Sequence, residues 1–139
     1  MCEDFVALLD ESLLPNLETL EEKVFYLKMK GDNYDDLVGA SSGGFFGNGP
    51  KWIAAAKQAY SDAMSAAESG MKPTDILKLE LALKYSIFIK EVMHDKTGAT
   101  KLLKRAWDDA AENEDEVGDY EFKDWARIMI QIREKLEEW

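Results

Sequence analysis

The chain has 139 residues, 46% of them hydrophobic and 32% charged, a composition suited to one globular domain that buries roughly 68–70% of its unfolded surface. Its 28 acidic against 17 basic residues give a formal charge of −11, which argues against nucleic acid and anionic membranes as partners. A single cysteine, Cys2, excludes an internal disulfide and points to a reducing compartment. With no apolar run of about eighteen residues and no charged-then-apolar leader, neither a membrane span nor a secretory signal is supported, and the expectation is a cytoplasmic or nuclear protein.

Apolar residues recur at steps of three and four almost throughout, so the fold class is all-α with no convincing strand. Phe5, Leu8, Leu9 and Leu13 mark a helix that stops before Pro15, because the residue preceding a proline is pushed out of the helical region. The next runs from about Leu17 to Val38, with Val24, Leu27, Tyr34 and Leu37 inward. Residues 39–50 are too rich in glycine and serine for a packed helix and read as a flexible connector. They lack both the preceding strand and the following Gly-Lys-Ser/Thr of a phosphate-cradling loop. From near Lys51 to Gly70 a helix carries Trp52, Ile53, Ala56, Tyr60, Ala63, Met64 and Ala67, whose small members suit close helix approach. Thr74, just after Pro73, is a candidate cap for a helix holding Ile76, Leu79, Leu83, Ile87 and Val92. Two more helices, over about 98–111 and 119–139, flank the acidic stretch Glu112-Asn113-Glu114-Asp115-Glu116. About six helices with short connections make an antiparallel array stacked in TPR-like superhelical fashion, one domain over 1–139.

The residues offer no catalytic chemistry. His94, placed near the end of the helix that holds Val92, has no Cys or His at ligand spacing and reads as a last-turn histidine favoured by the helix dipole. Asp32-Asn33-Tyr34-Asp35-Asp36 lacks the alternating ligands and the glycine of a calcium loop. Neither an enzyme, nor a metal, nor a cofactor is expected.

The run Lys23-Val24-Phe25-Tyr26-Leu27-Lys28-Met29-Lys30-Gly31-Asp32 closely resembles the signature helix of the 14-3-3 proteins. Leu14-Pro15-Asn16, Ala59-Tyr60, Met71-Lys72-Pro73-Thr74 and Leu81-Ala82-Leu83-Lys84-Tyr85-Ser86-Ile87-Phe88 resemble further segments of that family, and Tyr120 to Trp139 resembles its last helix. The resemblance covers nearly the whole chain. It implies an all-helical eukaryotic signalling adaptor that grips phosphoserine or phosphothreonine protein segments in a groove and assembles as a homo-oligomer. It also implies that the chain corresponds to the C-terminal two-thirds of a family member, whether as a fragment, a cleaved product or a short form.

Matched residue by residue, the resemblance makes Lys28 a phosphate-facing lysine, Leu83, Ile87, Ile128 and Trp139 apolar or aromatic groove positions, and Glu91 an acidic groove residue. Spacing alone supports two stripes: Leu83, Ile87 and Glu91 are four apart, and Ile128, Ile132, Lys135 and Trp139 follow a three-or-four step. Each aliphatic position reads equally well as core. Lys28 reads alternatively as a lysine salt-bridged to Asp32 one turn later.

The departures from the family fall on the groove. Asp35 and Asp36 stand where the family places an Arg-Tyr pair on the phosphate, Lys84 and Lys135 where it has backbone-holding asparagines, and Arg127, Gln131 and Glu138 at apolar positions. A phosphate of about −1.5 to −2 charges interacts with a unit charge roughly 6 Å away by about 3 kcal/mol per unit pair at an effective dielectric near 20. Replacing Arg by Asp35 thus removes several kcal/mol of attraction and adds comparable repulsion, reduced by solvent screening, against about 8 kcal/mol for a whole micromolar complex. Lys84 and Lys135 either form a relocated anion site with Lys28 or neutralise the two acids, the latter being favoured because a buried acidic pair is costly. Two functions stay open: an adaptor for phosphorylated or acidic segments through a modified groove, and a helical scaffold or interaction module that has lost phosphopeptide recognition.

In the family, apolar positions of the helices before Gly70 pack on N-terminal helices that this chain lacks, and exposed patches of that kind drive association. Light scattering across concentrations should therefore give a mass above 15.8 kDa, and a clean monomer would contradict the expectation.

Overall fold

The computed structural model describes residues 19–41 and 49–139, so the helix expected over 5–13 and most of the 39–50 connector lie outside the described residues. Among the described residues the protein is all-helical: α1 spans Leu20–Ser41, α2 Gly49–Gly70, α3 Ile76–Glu91, α4 Lys96–Glu112 and α5 Phe122–Glu138, with a 3₁₀ turn at Glu114–Glu116. The expected helices reappear with ends moved by a few residues. Two compact units divide the chain, Met1–Gly70 and Met71–Trp139.

In the first unit α1 packs along α2. Leu20 meets Gly70, Gly31 meets Tyr60 and Tyr34 meets Trp52, so residue numbers rise on one helix as they fall on the other and the pair is antiparallel. The buried stripe of α2, Trp52, Ala56, Ala59, Tyr60, Ala63 and Ala67, repeats every three or four residues and is mostly alanine. Small side chains let helices approach closely, and the one large ring in mid-stripe, Tyr60, needs a gap opposite it. Gly31 supplies the gap: a Cβ there would lie 2.7 Å from Cδ1 and Cε1 of Tyr60. A glycine inside a helix costs about 1 kcal/mol relative to alanine, which this packing offsets. One turn on, the rings of Tyr34 and Trp52 stack with centroids 5.9 Å apart and planes at 21°.

In the second unit α3, α4 and α5 pack on one another around Leu79, Leu103, Ala110, Trp125, Ile128, Met129 and Ile132. Helices α4 and α5 each bury one stripe and present charge elsewhere. Helix α3 buries Leu79, Leu81, Ala82, Ser86 and Phe88, positions on more than one face, as a helix enclosed by neighbours must. The Ser86 hydroxyl, fully buried, donates to the Leu83 carbonyl at 2.9 Å and so needs no partner outside its own helix.

Two local expectations are corrected. The N-cap of α3 is Asp75, whose carboxylate accepts from the Leu77 N–H at 2.9 Å, while Thr74 is buried beside it. Aspartate serves because an ionised oxygen accepts the orphan amides of a first turn better than a hydroxyl does. His94 lies beyond the end of α3 with φ 57°, in the left-handed region of the turn that leads to Asp95, the cap of α4. It is therefore not a last-turn histidine.

Gly31→Ala tests the helix contact. Pushing a methyl against a buried ring should cost about 1–3 kcal/mol despite alanine's better helix propensity. Chemical denaturation would show it as a lowered midpoint, and an unchanged or raised midpoint would mean that Tyr60 moves freely.

Candidate functional site

The first constellation lies on α1, where Lys28, Asp32, Asp35 and Asp36 fall at i, i+4, i+7 and i+8 and so share one face. Lys28 Nζ sits 3.2 Å from Asp32 Oδ2, with the two side chains 16% and 31% exposed. Asp32 Oδ1 accepts a 2.5 Å hydrogen bond from the Tyr60 hydroxyl of α2. One carboxylate thus joins a lysine on its own helix to a phenol across the helix pair. The Tyr60 hydroxyl is pushed far above the usual phenol range, first by burial, then by its hydrogen bond to Asp32, then by the negative charges of Asp32, Asp35 and Asp36. Asp36 is exposed and Asp35 half-buried. Lys28 therefore takes the arrangement weighed as its alternative, an intrahelical ion pair, and its ammonium is already engaged.

The second constellation lies wholly in the α3–α5 unit. A pocket of about 240 Å³ is lined by Ile76, Glu80, Asp124, Arg127, Ile128 and Gln131. Ile128 contributes apolar surface there and is itself a buried member of the core. Ile76 adds a second apolar side chain, the rest of the lining is charged or polar, and Arg127 Nη1 lies 3.8 Å from Asp124 Oδ1, both side chains 64% exposed. At that exposure the pair contributes little, typically about 0–1 kcal/mol. Leu83 is half-buried against the same core, as is Trp139, whose ring lies 5.6 Å below Lys90 Nζ. Ile87 is half-buried and Glu91, the last residue of α3, is exposed. Lys84 is exposed, and Lys135 pairs with Glu138 on its own helix at 3.5 Å.

The structure thus brings Leu83, Ile128 and Trp139 to one core cluster, while Lys28 belongs to the other unit. Sequence reasoning missed Gly31 as the seat of the Tyr60 ring, Tyr60 as a partner of Asp32, and Ile76, Glu80 and Asp124 as neighbours of Ile128. A glycine inside a strongly helical run was the available signal for the first. No group of three or more His, Cys, Asp or Glu able to hold a metal occurs among the described residues. No helix among them is long and apolar enough to cross a membrane.

The family model described as 14-3-3 protein matches residues 1–139. The chain belongs to the 14-3-3 family. It is 38% identical over 139 residues to 14-3-3 protein beta/alpha-A of Xenopus laevis, covering 100% of this chain and 56% of that protein. Identity is 38% with 14-3-3 protein homolog 2 of Schistosoma mansoni, of which the chain covers 64%, and 37% with 14-3-3-like protein 2 of Caenorhabditis elegans, of which it covers 55%. The chain thus spans little more than half the length of these 14-3-3 relatives.

Within this 14-3-3 chain the Tyr60–Asp32 bond has a measurable consequence. Tyr60→Phe should destabilise the fold by about 1–3 kcal/mol, the loss of a hydrogen bond to a charged acceptor. The raised Tyr60 hydroxyl also gives a pH signature. Stability contributed by keeping the phenol protonated is fully present below the unfolded tyrosine value near 10 and is lost as pH rises through and beyond it, because only the unfolded chain then releases the proton. Denaturation at neutral and at strongly alkaline pH should show a gap between wild type and Tyr60→Phe that shrinks at high pH. A constant gap would mean that burial does not hold the proton on Tyr60.

Proposed function

We propose that this 14-3-3 chain acts as an adaptor that takes acidic protein segments, phosphorylated ones included, in a modified groove where phosphate is no longer the dominant anchor. The proposed groove residues are Lys28, Leu83, Ile87, Glu91, Ile128 and Trp139. The observation that carries the reading is the commitment of Lys28 to Asp32 on a helix face that continues with Asp35 and Asp36. A dianion approaching that face meets three carboxylates and one lysine already paired. Retained apolar surface at Leu83, Ile128 and Trp139 supports binding of a segment's side chains. Lys84 and Lys135 are the remaining cations at positions where the family holds a ligand's backbone. Assembly of the adaptor as a homo-oligomer, in a cytoplasmic or nuclear setting, belongs to the same proposal, as does the absence of catalysis.

A second reading, a helical scaffold without a peptide-binding role, is favoured by the pocket around Ile128, where Glu80, Asp124, Arg127 and Gln131 leave a ligand only Ile76 and Ile128 as apolar surface. Titration calorimetry on a matched pair of phosphoserine and unphosphorylated peptides separates the two. The expected outcome is measurable binding of both, with a phosphate-dependent gain below about tenfold, or about 1.4 kcal/mol. A larger gain would restore phosphate as the dominant anchor and overturn the proposal. Absence of binding by either peptide would favour the scaffold. If Lys84 and Lys135 supply the attraction, changing both to asparagine should abolish peptide binding while leaving the helical fold intact.

A further inference from the structure

One side of the α4–α5 pair carries two contiguous shallow grooves, of about 430 and 360 Å³, that share Thr100 and Lys104. Their floor is apolar: Trp107, Leu136 and Trp139 are half-buried, rest on the core of their unit and still offer surface to solvent. Their rim is basic, with Lys96, Lys101, Lys104 and Arg133 against Asp108 and Glu137, four cations to two carboxylates in a chain of net charge −11. Lys28, Arg127, Arg133 and Lys135 each have a carboxylate three or four residues away within 4 Å, whereas Lys96, Lys101 and Lys104 have none among the described residues.

Helix geometry sharpens the point. Lys101 has Lys104 at i+3 and Arg105 at i+4, so like charges face one another where a carboxylate would stabilise the helix. Local repulsion and half-exposed tryptophans both disfavour the free surface, and one kind of occupant relieves both. We propose that this groove docks an acidic, extended segment of a protein partner, with one aromatic or aliphatic side chain seated among Trp107, Leu136 and Trp139 and its carboxylates at Lys101, Lys104 and Lys96. Charge complementarity selects such a segment against the remainder of this acidic chain, and indole and leucine surface supplies the apolar contact. The surface shares no residue with the proposed groove except Trp139.

The test uses the whole chain and an unphosphorylated peptide of mixed Glu and Asp with one central Phe. Amide shift perturbations in a heteronuclear NMR titration should concentrate on residues 97–108 and 133–139. Lys101→Glu with Lys104→Glu should weaken binding by at least about tenfold. Lys57→Glu with Lys72→Glu, the same charge change at exposed sites elsewhere, should weaken it far less. Should the double glutamate variant lose helicity, Lys101→Gln with Lys104→Gln should still weaken binding, by a smaller factor. A peptide with Ser for Phe should bind more weakly. No binding, equal loss in the two double variants, equal binding of the Ser peptide, or perturbations centred on residues 83–91 and 124–131 would each overturn the proposal. Perturbations centred there would support the groove of the proposed function instead, so the two readings fail separately.

Discussion

A missing side chain sets the geometry of the first helix pair. Because position 31 is glycine, the Tyr60 ring can lie flat against the backbone of α1, and no other residue there would leave room. Seating the ring fixes the register of α1 against α2, which brings Asp32 within reach of the phenol and Trp52 beneath Tyr34. Register in an alanine-lined helix pair is otherwise weakly specified, since small side chains make shallow ridges and grooves. A large ring in a matching gap, with Trp52 stacked on Tyr34 beyond it, therefore sets where Lys28 and Asp32 fall against α2.

That constraint reaches the chemistry. Asp32 is shared between a cation and a buried donor, so its carboxylate is fixed in place and Lys28 is held along its own helix. A lysine free to swing can follow a ligand's phosphate, whereas one held 3.2 Å from a carboxylate must break that contact first. Packing at Gly31 and the position of Lys28 are consequently linked through one carboxylate.

Much of this was legible in the sequence, for physical reasons that also explain what was not. Helical period and apolar spacing reveal α1 to α5 because burial of one face writes a repeat of three or four into the chain. The Lys28–Asp32 pair is legible for the same reason, since i and i+4 are neighbours on any helix. Tyr60 donating to Asp32 is not, because the two residues are 28 positions apart and only the seating of a ring against Gly31 brings them together. Asp75 and Thr74 are both good caps, and one residue of drift in the turn after Pro73 decides between them. The groove beside Trp107 was hidden for a different reason: its lysines have the spacing of an ordinary solvated helix face, and only the position of α5 shows that indole and leucine surface lies between them.

Solvation decides how the fold tolerates two acids at 35 and 36. Asp36 is exposed and Asp35 half-buried. Water therefore solvates the Asp36 charge directly. A charge reversal at such positions acts on what approaches the surface far more than on the stability of the helix beneath it. Surface charge can then change sign while Gly31, Tyr60 and the α3–α5 core hold their helices, which is how a chain can match its family over residues 1–139 and still carry acids at 35 and 36.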